Sequence, residues 1–168
     1  GELFAKHMDE LLPLDYTEQE RGYAKKFQGV ITDLDRNSLK SMAKKVAGKN
    51  AAELLEQPVW NFRIQQSMGP SKCSTDVGDV SWVVPTGQFS MATLAAGTPG
   101  HAWQVVAQGK GSVAHKGMLA AAKVMAAAAC DLYADEALQQ ACKDEWKANL
   151  DGEVYPSPLP ASAKPEIW

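Results

Sequence analysis

Apolar residues recur every three or four positions along the first third of the chain, and this spacing is that of one face of an α-helix. Pro13 interrupts the first apolar stripe. Thr17, with Glu20 three positions later, forms a capping box that begins a second helix. These patterns predict helices over residues 3–12, from Thr17 to about Ile31, from a cap at residues 35–38 to Gly48, and over residues 51–56.

Two later segments show the alternation of apolar and polar positions that is typical of a β-strand. Residues 59–64 alternate imperfectly. In residues 87–96, Phe89 and Met91 fall on the same face. We therefore predict a strand in each segment, and together these strands indicate a small sheet.

Residues 76–82 are predicted to form a short helix between the two strands. Ser74 or Thr75 precedes this segment and can cap its first turn. An anionic Asp76 in that turn would suit the positive end of the helix. Propensity alone favours a strand over residues 80–84 instead, so both interpretations stay open.

A long alanine-rich helix is predicted to begin at Ser112. Its alanine runs let a neighbouring backbone approach closely, so residues 118–132 are expected to be largely buried. Residues 135–150 form the last predicted helix, and a proline-rich tail follows from Asp151. The predicted fold class is α/β, a small sheet flanked by helices, with one domain over residues 1–150 and an extended tail over residues 151–168.

The composition describes one globular domain. The chain has 168 residues, a length that is enough for one hydrophobic core and too short for two ordinary domains. Its hydrophobic content of 45% and its net charge of -3 are those of a soluble globular protein. Without a basic run, neither nucleic acid nor a membrane surface is an expected partner. The longest apolar stretch, residues 118–130, contains Lys123 and is too short to span a bilayer, and the first residues do not resemble a signal peptide.

The three cysteines bear on the cellular compartment. Cys73, Cys130 and Cys142 are an odd set without CxxC spacing. We therefore expect reduced cysteines in a cytoplasmic protein, with Cys130 and Cys142 serving as small core residues.

Candidate chemistry concentrates between Cys73 and Met118, where two of the three histidines lie. Glycine and proline precede His101, and such residues hold a loop in a fixed path that commonly presents a ligand or catalytic side chain. A surface connector is the alternative. His7 and Asp9 also form a His-x-Asp pattern, but helical residues two positions apart face different ways, which favours a solvated helix face.

Three blocks of sequence resemble a known family. They are residues 74–82 (Ser-Thr-Asp-Val-Gly-Asp-Val-Ser-Trp), residues 97–101 (Gly-Thr-Pro-Gly-His) and residues 114–118 (Ala-His-Lys-Gly-Met). Together they are similar to the metallopeptidase and amidohydrolase family that includes aminoacylases and glutamate-releasing carboxypeptidases. The likeness extends over essentially the whole chain.

The resemblance implies a fold and an activity. The family's catalytic domain is a sheet flanked by helices and interrupted by a lid through which the enzymes dimerise; this chain resembles the portion after the lid. The implied activity is hydrolysis of p-aminobenzoyl-glutamate or a similar N-acyl amino acid. Two Zn or Mn ions polarise the amide carbonyl, and a glutamate acts as general base.

The resemblance also implies roles for particular residues. The family's final metal ligand is a histidine in a loop after a strand and before the alanine-rich helix, and His101 fits that description. His115, at the start of the helix, is the alternative ligand. Asp76, after the small polar Thr75, occupies the place of a family aspartate that shapes the cleft or orients a neighbour; a helix cap is the other interpretation.

The chain departs from the family pattern in one large respect. The strand-borne His-x-Asp and the Glu-Glu pair, which carry most metal ligands and the general base, are missing, and no Glu-Glu occurs in the sequence. The two-metal site is therefore incomplete here, and we expect the isolated chain to be inactive and to need the remainder of the catalytic domain. A noncatalytic scaffold or interaction module derived from the family is the alternative.

Overall fold

The structure, a computed structural model, describes residues 1–64, 75–160 and 162–164. The described residues form eight α-helices and a single 3-10 turn at Gly48–Asn50. The helices are α1 (Glu2–Leu11), α2 (Glu18–Gln28), α3 (Asp33–Ala47), α4 (Ala51–Leu55), α5 (Val77–Val83), α6 (Trp103–Gln108), α7 (Ser112–Ala134) and α8 (Glu136–Leu150).

The predicted α/β class is wrong, because the described residues contain helices and no strand or sheet. Residues 59–64 and 87–96 have no regular secondary structure, although strands were predicted for both. Alternation reports which side of a segment is buried, but a strand also needs a neighbouring strand to bond with its backbone. Backbone groups at the end of the second segment bond to other partners instead: the Ala96 N–H donates to the Pro58 carbonyl at 2.9 Å.

The helix cap predicted from the sequence is correct at α2 and wrong at α3. At α2 the predicted capping box is confirmed: the Thr17 N–H donates to Glu20 Oε2 at 2.7 Å, and the Glu20 N–H donates to Thr17 Oγ1 at 3.2 Å. Helix α3 begins earlier than predicted. Thr32 caps it and Asp35 completes a second capping box, so Asp35 lies inside the helix.

Helix α7 is less buried than its alanine content predicted. Val124 and Ala128 are buried, but Met118, Leu119 and Met125 each expose more than half of their surface, so the prediction of a largely buried helix is wrong. Cys130 is exposed as well, contrary to its predicted core position. By length and composition alone this 23-residue helix could cross a membrane, and 22% of its most apolar window is buried.

The chain divides into two compact units, and the first comprises residues 1–69 and 88–130. Its described part contains two apolar clusters. One unites helices and loops that are distant in sequence: Tyr16, Ala24, Val59, Ala95 and Val113. The other packs α3 against α4 through Ala43, Ala51 and Leu54.

The second unit comprises residues 70–87 and 131–168. Its described part contains α5, the last residues of α7, α8 and the tail as far as the structure describes it. The Trp146 indole N–H donates to the Ser81 carbonyl at 2.8 Å, and Tyr155 Oη donates to Asp79 Oδ1 at 2.7 Å. These bonds fasten α8 and the tail to α5.

Candidate functional site

The candidate site residue with the most distinctive backbone is His101. It lies in the segment of residues 95–102, which we term the His101 loop. His101 has a φ of 56°, a left-handed conformation that is uncommon outside glycine but several-fold enriched in histidine. Its side chain is exposed and has no hydrogen-bond partner among the described residues. The imidazole is therefore accessible to solvent.

Gln108, the last residue of α6, holds the start of the His101 loop. It is 4% exposed. Gln108 Oε1 accepts the Ala95 N–H at 2.8 Å, and Gln108 Nε2 donates to Thr98 Oγ1 at 3.0 Å and to the Gln104 carbonyl at 3.0 Å. Thr98 Oγ1 in turn donates to the Ala95 carbonyl at 2.8 Å. The polar atoms of the Gln108 amide are thus all engaged inside the protein.

Gly97 allows the same loop to pack on the apolar side chains beneath it. Its φ of 84° favours glycine, and a Cβ there would lie 2.9 Å from Leu39 Cδ2 and 3.1 Å from Ile31 Cδ1. The loop therefore packs against Leu39 of α3 and against Ile31, which lies just before α3. A larger residue at position 97 would push the loop away from these two side chains.

His115 lies in the first turn of α7, as predicted, and is exposed. Its backbone N–H donates to the Gly111 carbonyl at 3.1 Å, and its side chain has no hydrogen-bond partner among the described residues. Nearby, Gly117 passes against the backbone: a Cβ there would lie 2.1 Å from the Ala92 carbonyl oxygen. The early turns of α7 therefore combine an exposed histidine with a very close backbone contact.

Lys116 joins α7 to α2 through an ion pair. Lys116 Nζ lies 2.8 Å from Glu20 Oε2 and also donates to the Asp15 carbonyl at 2.7 Å. The hydrogen bond from Lys116 to Glu20 is the main reason that the pKa of Glu20 falls from 4.5 to about 2. The adjacent Tyr16 is buried. Burial is the main cause that raises the pKa of its phenol, and the nearby negative charge of Glu20 is the smaller cause. The pair thus fixes a carboxylate that stays ionised well into the acid range.

A groove of about 830 Å³ lies beside this ion pair in the first unit. It is lined by Thr17, Gln19, Glu20, Gly22, Tyr23, Lys26, Ala107, Lys110, Gly111 and Ser112. None of the site residues predicted from the sequence lines it. The groove and the predicted site are therefore different features of the molecule.

Asp76 and Thr75 belong to the second unit, whereas both candidate histidines belong to the first. The predicted short helix is confirmed as α5, in preference to a strand. Thr75 Oγ1 accepts the Val77 N–H at 3.4 Å, while the Asp76 side chain, in the capping position, makes no capping bond. Ser74 and Cys73 lie outside the described residues. Both described candidates are exposed, and their predicted roles in a cleft stay predictions.

The His-x-Asp pattern near the N-terminus does not form a site of its own. His7 is buried and its Nδ1 lies 2.8 Å from Glu10 Oε2, while Asp9 is exposed and forms a two-bond ion pair with Arg63. The two residues therefore have different partners, as their two-residue spacing predicted: His7 pairs with Glu10 on α1 and Asp9 with Arg63 outside it. The predicted solvated helix face is wrong for His7, which is buried.

The described residues supply one metal donor more readily than a complete metal site. Among them, no group of three or more His, Cys, Asp or Glu side chains is placed to hold an ion. The unpaired imidazole of His101 suits Zn or Mn, since a neutral imidazole binds both metals. Among the described residues, the exposed His101 side chain is thus compatible with supplying one ligand, and not with a complete metal site.

Gln108 and its partner Thr98 are the part of the site that the sequence patterns missed. Helix α6, which carries Gln108, was not predicted either. It spans six residues, too few for apolar periodicity to be recognisable, and its Trp103 and Val106 are exposed. A buried glutamine carries no sequence signal of its own, because glutamine is usually a surface residue.

Comparison with known proteins tests the resemblance. No family model matches the chain, and no solved structure matches it. The chain is 38% identical over 159 residues to one of the subunits of p-aminobenzoyl-glutamate hydrolase of Escherichia coli (strain K12). The predicted resemblance is confirmed. The match covers 90% of this chain and 33% of the relative, so the chain spans a third of that protein's length.

Proposed function

We propose that this chain is part of a metal-dependent amide hydrolase that cleaves p-aminobenzoyl-glutamate or a similar N-acyl amino acid. The observation that carries the proposal is the 38% identity over 90% of the chain to a protein named as a hydrolase of that substrate. The similarity alone supports a hydrolase-related function. The metal dependence and the identity of the substrate are proposals that go beyond the similarity.

The role of His101 in this proposal is to ligate a Zn or Mn ion. Its imidazole is exposed and unpaired among the described residues, and its loop is held by buried hydrogen bonds. A metal bound there would act as a Lewis acid on the amide carbonyl. His115 is the weaker candidate, since it lies at the positive end of α7, where a nearby cation is disfavoured.

The remaining ligands and the general base are assigned to another part of the enzyme. The sequence contains no Glu-Glu pair, and its one His-x-Asp lies on α1 with each member bonded elsewhere. We therefore propose that the remainder of a catalytic domain is the partner of this chain, that the enzyme dimerises through a lid, and that it works in the cytoplasm. The 168-residue chain alone is then expected to bind Zn or Mn weakly without hydrolysing the substrate.

The second candidate is a noncatalytic scaffold or interaction module derived from the same ancestor. The missing ligand motifs favour it. The two proposals differ over His101, because a scaffold does not require an imidazole there.

The deciding experiment is metal analysis of two variants of the intact protein. His101→Ala should remove one metal equivalent and nearly all hydrolysis of p-aminobenzoyl-glutamate while leaving the fold intact. His115→Ala is the matched control and should keep metal content close to wild type. Normal metal content in His101→Ala with loss in His115→Ala would reverse the assignment, and absence of bound metal and of hydrolysis already in the unsubstituted protein would favour the scaffold.

A further inference from the structure

We infer that Gln108 is the positioning residue for His101. Its amide fixes the backbone of the His101 loop and thereby the direction from which the imidazole meets a metal. The inference rests on the proposed function in one respect, namely that His101 is a metal ligand. The structural part, that Gln108 holds the loop, rests on hydrogen bonds among residues of the first unit alone.

The hydrogen bonds of Gln108 close a ring of chain around His101. Helix α6 follows the His101 loop directly, and its last residue reaches back to Ala95 and Thr98 at the beginning of the loop. His101 lies between those anchor points and α6. The beginning of the loop is therefore tied by one side chain to the helix that follows the loop.

The chemistry of an amide explains why glutamine suits this position. The Ala95 N–H needs a hydrogen-bond acceptor, whereas Thr98 Oγ1 and the Gln104 carbonyl each accept a hydrogen bond from Gln108 Nε2. A neutral amide supplies both from one planar group without placing a charge in a buried site. Since Gln108 is 4% exposed, water cannot readily replace these bonds when the amide is lost.

The conformation that the ring holds is one that His101 would not adopt freely. A φ of 56° is a minor conformation for a residue with a side chain, so it persists because surrounding contacts impose it. Gly97, packed against Leu39, limits movement on one side of the loop. The amide of Gln108 limits it from the other end of the ring.

The test uses Gln108→Met and Thr98→Val in the intact protein. Methionine keeps the length of glutamine but makes no strong hydrogen bond, and valine keeps the shape of threonine without its hydroxyl. The matched control is Asn61→Leu, because the Asn61 amide also bonds to a backbone N–H and carbonyl, but to those of Leu14 and not to those of the loop. The measurements are the Kd for Zn by chelator competition, hydrogen exchange at the Ala95 amide, kcat and KM on p-aminobenzoyl-glutamate, and thermal unfolding.

We expect Gln108→Met to raise the Kd for Zn by about 10- to 100-fold, the usual effect of losing a residue that orients a ligand. Exchange at the Ala95 amide should accelerate. At equal Zn, kcat should fall while KM stays near wild type. Thr98→Val should change the same quantities in the same direction by a smaller factor, and it decides the matter if Gln108→Met does not fold. Asn61→Leu should lower the unfolding temperature and leave the Kd and Ala95 exchange unchanged.

Two results separate a failure of this inference from a failure of the proposed function. If His101→Ala loses its metal but Gln108→Met and Thr98→Val have the same Kd as Asn61→Leu, the positioning role is overturned and the hydrolase proposal stands. If His101→Ala keeps its metal, His101 is not a ligand and the positioning role falls with the proposed function, whatever the Ala95 exchange shows.

Discussion

The His101 loop and the start of α5 are two segments of similar predicted function that are held in very different ways. The backbone of the loop is bonded to a buried glutamine thirteen residues away and packed on Leu39. At the start of α5, the candidate residues Thr75 and Asp76 are held more loosely: the Thr75 side chain makes one long bond, to the Val77 N–H, and the Asp76 side chain makes no capping bond. The loop is thus held by long-range contacts, whereas the one side-chain bond of the Thr75–Asp76 pair is to a neighbour in sequence.

This difference indicates where a fixed functional geometry is to be sought. Buried polar groups that are fully bonded resist rearrangement, because every alternative leaves an unpaired group in a dry interior. Exposed bonds exchange readily with water and contribute little to rigidity. His101 therefore has the more strongly fixed backbone of the two candidates.

The largest expected effect comes from Gly117→Ala, beside the segment that leads into the His101 loop. A Cβ there would lie 2.1 Å from a backbone oxygen of Ala92, so α7 or that segment must move. We expect the intact protein to lose about 3 kcal/mol or more of unfolding free energy. Denaturant unfolding measures the loss.

Gly78→Ala in α5 is the matched control for that substitution. Among the described residues, a Cβ placed at Gly78 would meet nothing within 4 Å apart from its chain neighbours and the backbone of its own helix. Alanine is the better helix former by about 0.5–1 kcal/mol, so Gly78→Ala should be neutral or stabilising. Equal losses from both substitutions would contradict the contrast between a tightly packed and an open region.

A smaller, pH-dependent effect is expected from Lys116→Met. The folded pKa of Glu20 is depressed to about 2 from 4.5, so the stabilisation is present above pH 4.5 and is lost as the pH falls toward 2. At pH 7 the variant should lose about 1–2 kcal/mol, a magnitude typical of a hydrogen bond to a charged group at a partly exposed position. Urea unfolding of both proteins from neutral pH down to about pH 2 should show the two stabilities converging in acid; a constant difference would argue against the ion pair.

The smallest effect is expected from Tyr155→Phe in the second unit. This substitution removes the exposed bond to Asp79, which raises the pKa of the phenol because the neutral form is the donor. Whatever stability the bond adds is present at neutral pH and lost as the pH rises through that raised pKa. Thermal unfolding at neutral pH should therefore change less than in Lys116→Met, and a larger change would show that the tail is more tightly held than its exposed bond indicates.

Signals that act over three or four residues were predictable from the sequence. The Thr17–Glu20 capping box and the start of α8, where the Asp135 side chain accepts the Leu138 N–H, depend on side chains adjacent to the backbone groups that they satisfy. Such bonds form with neighbours whose distance is fixed by the helix itself.

Only the tertiary structure decided the environment of each segment. Residues 87–96 alternate like a strand, but no other described segment pairs with them as a strand. The alanines of α7 permit close packing without requiring it, and one face of the helix remains exposed. The role of Gln108 depends on residues that become neighbours when α6 folds back over the loop. The sequence by itself determined local helix geometry, because the contacts within a helix join residues that are close in sequence. Burial, strand pairing and the support of His101 depend on contacts between distant residues, which the chain makes only when folded.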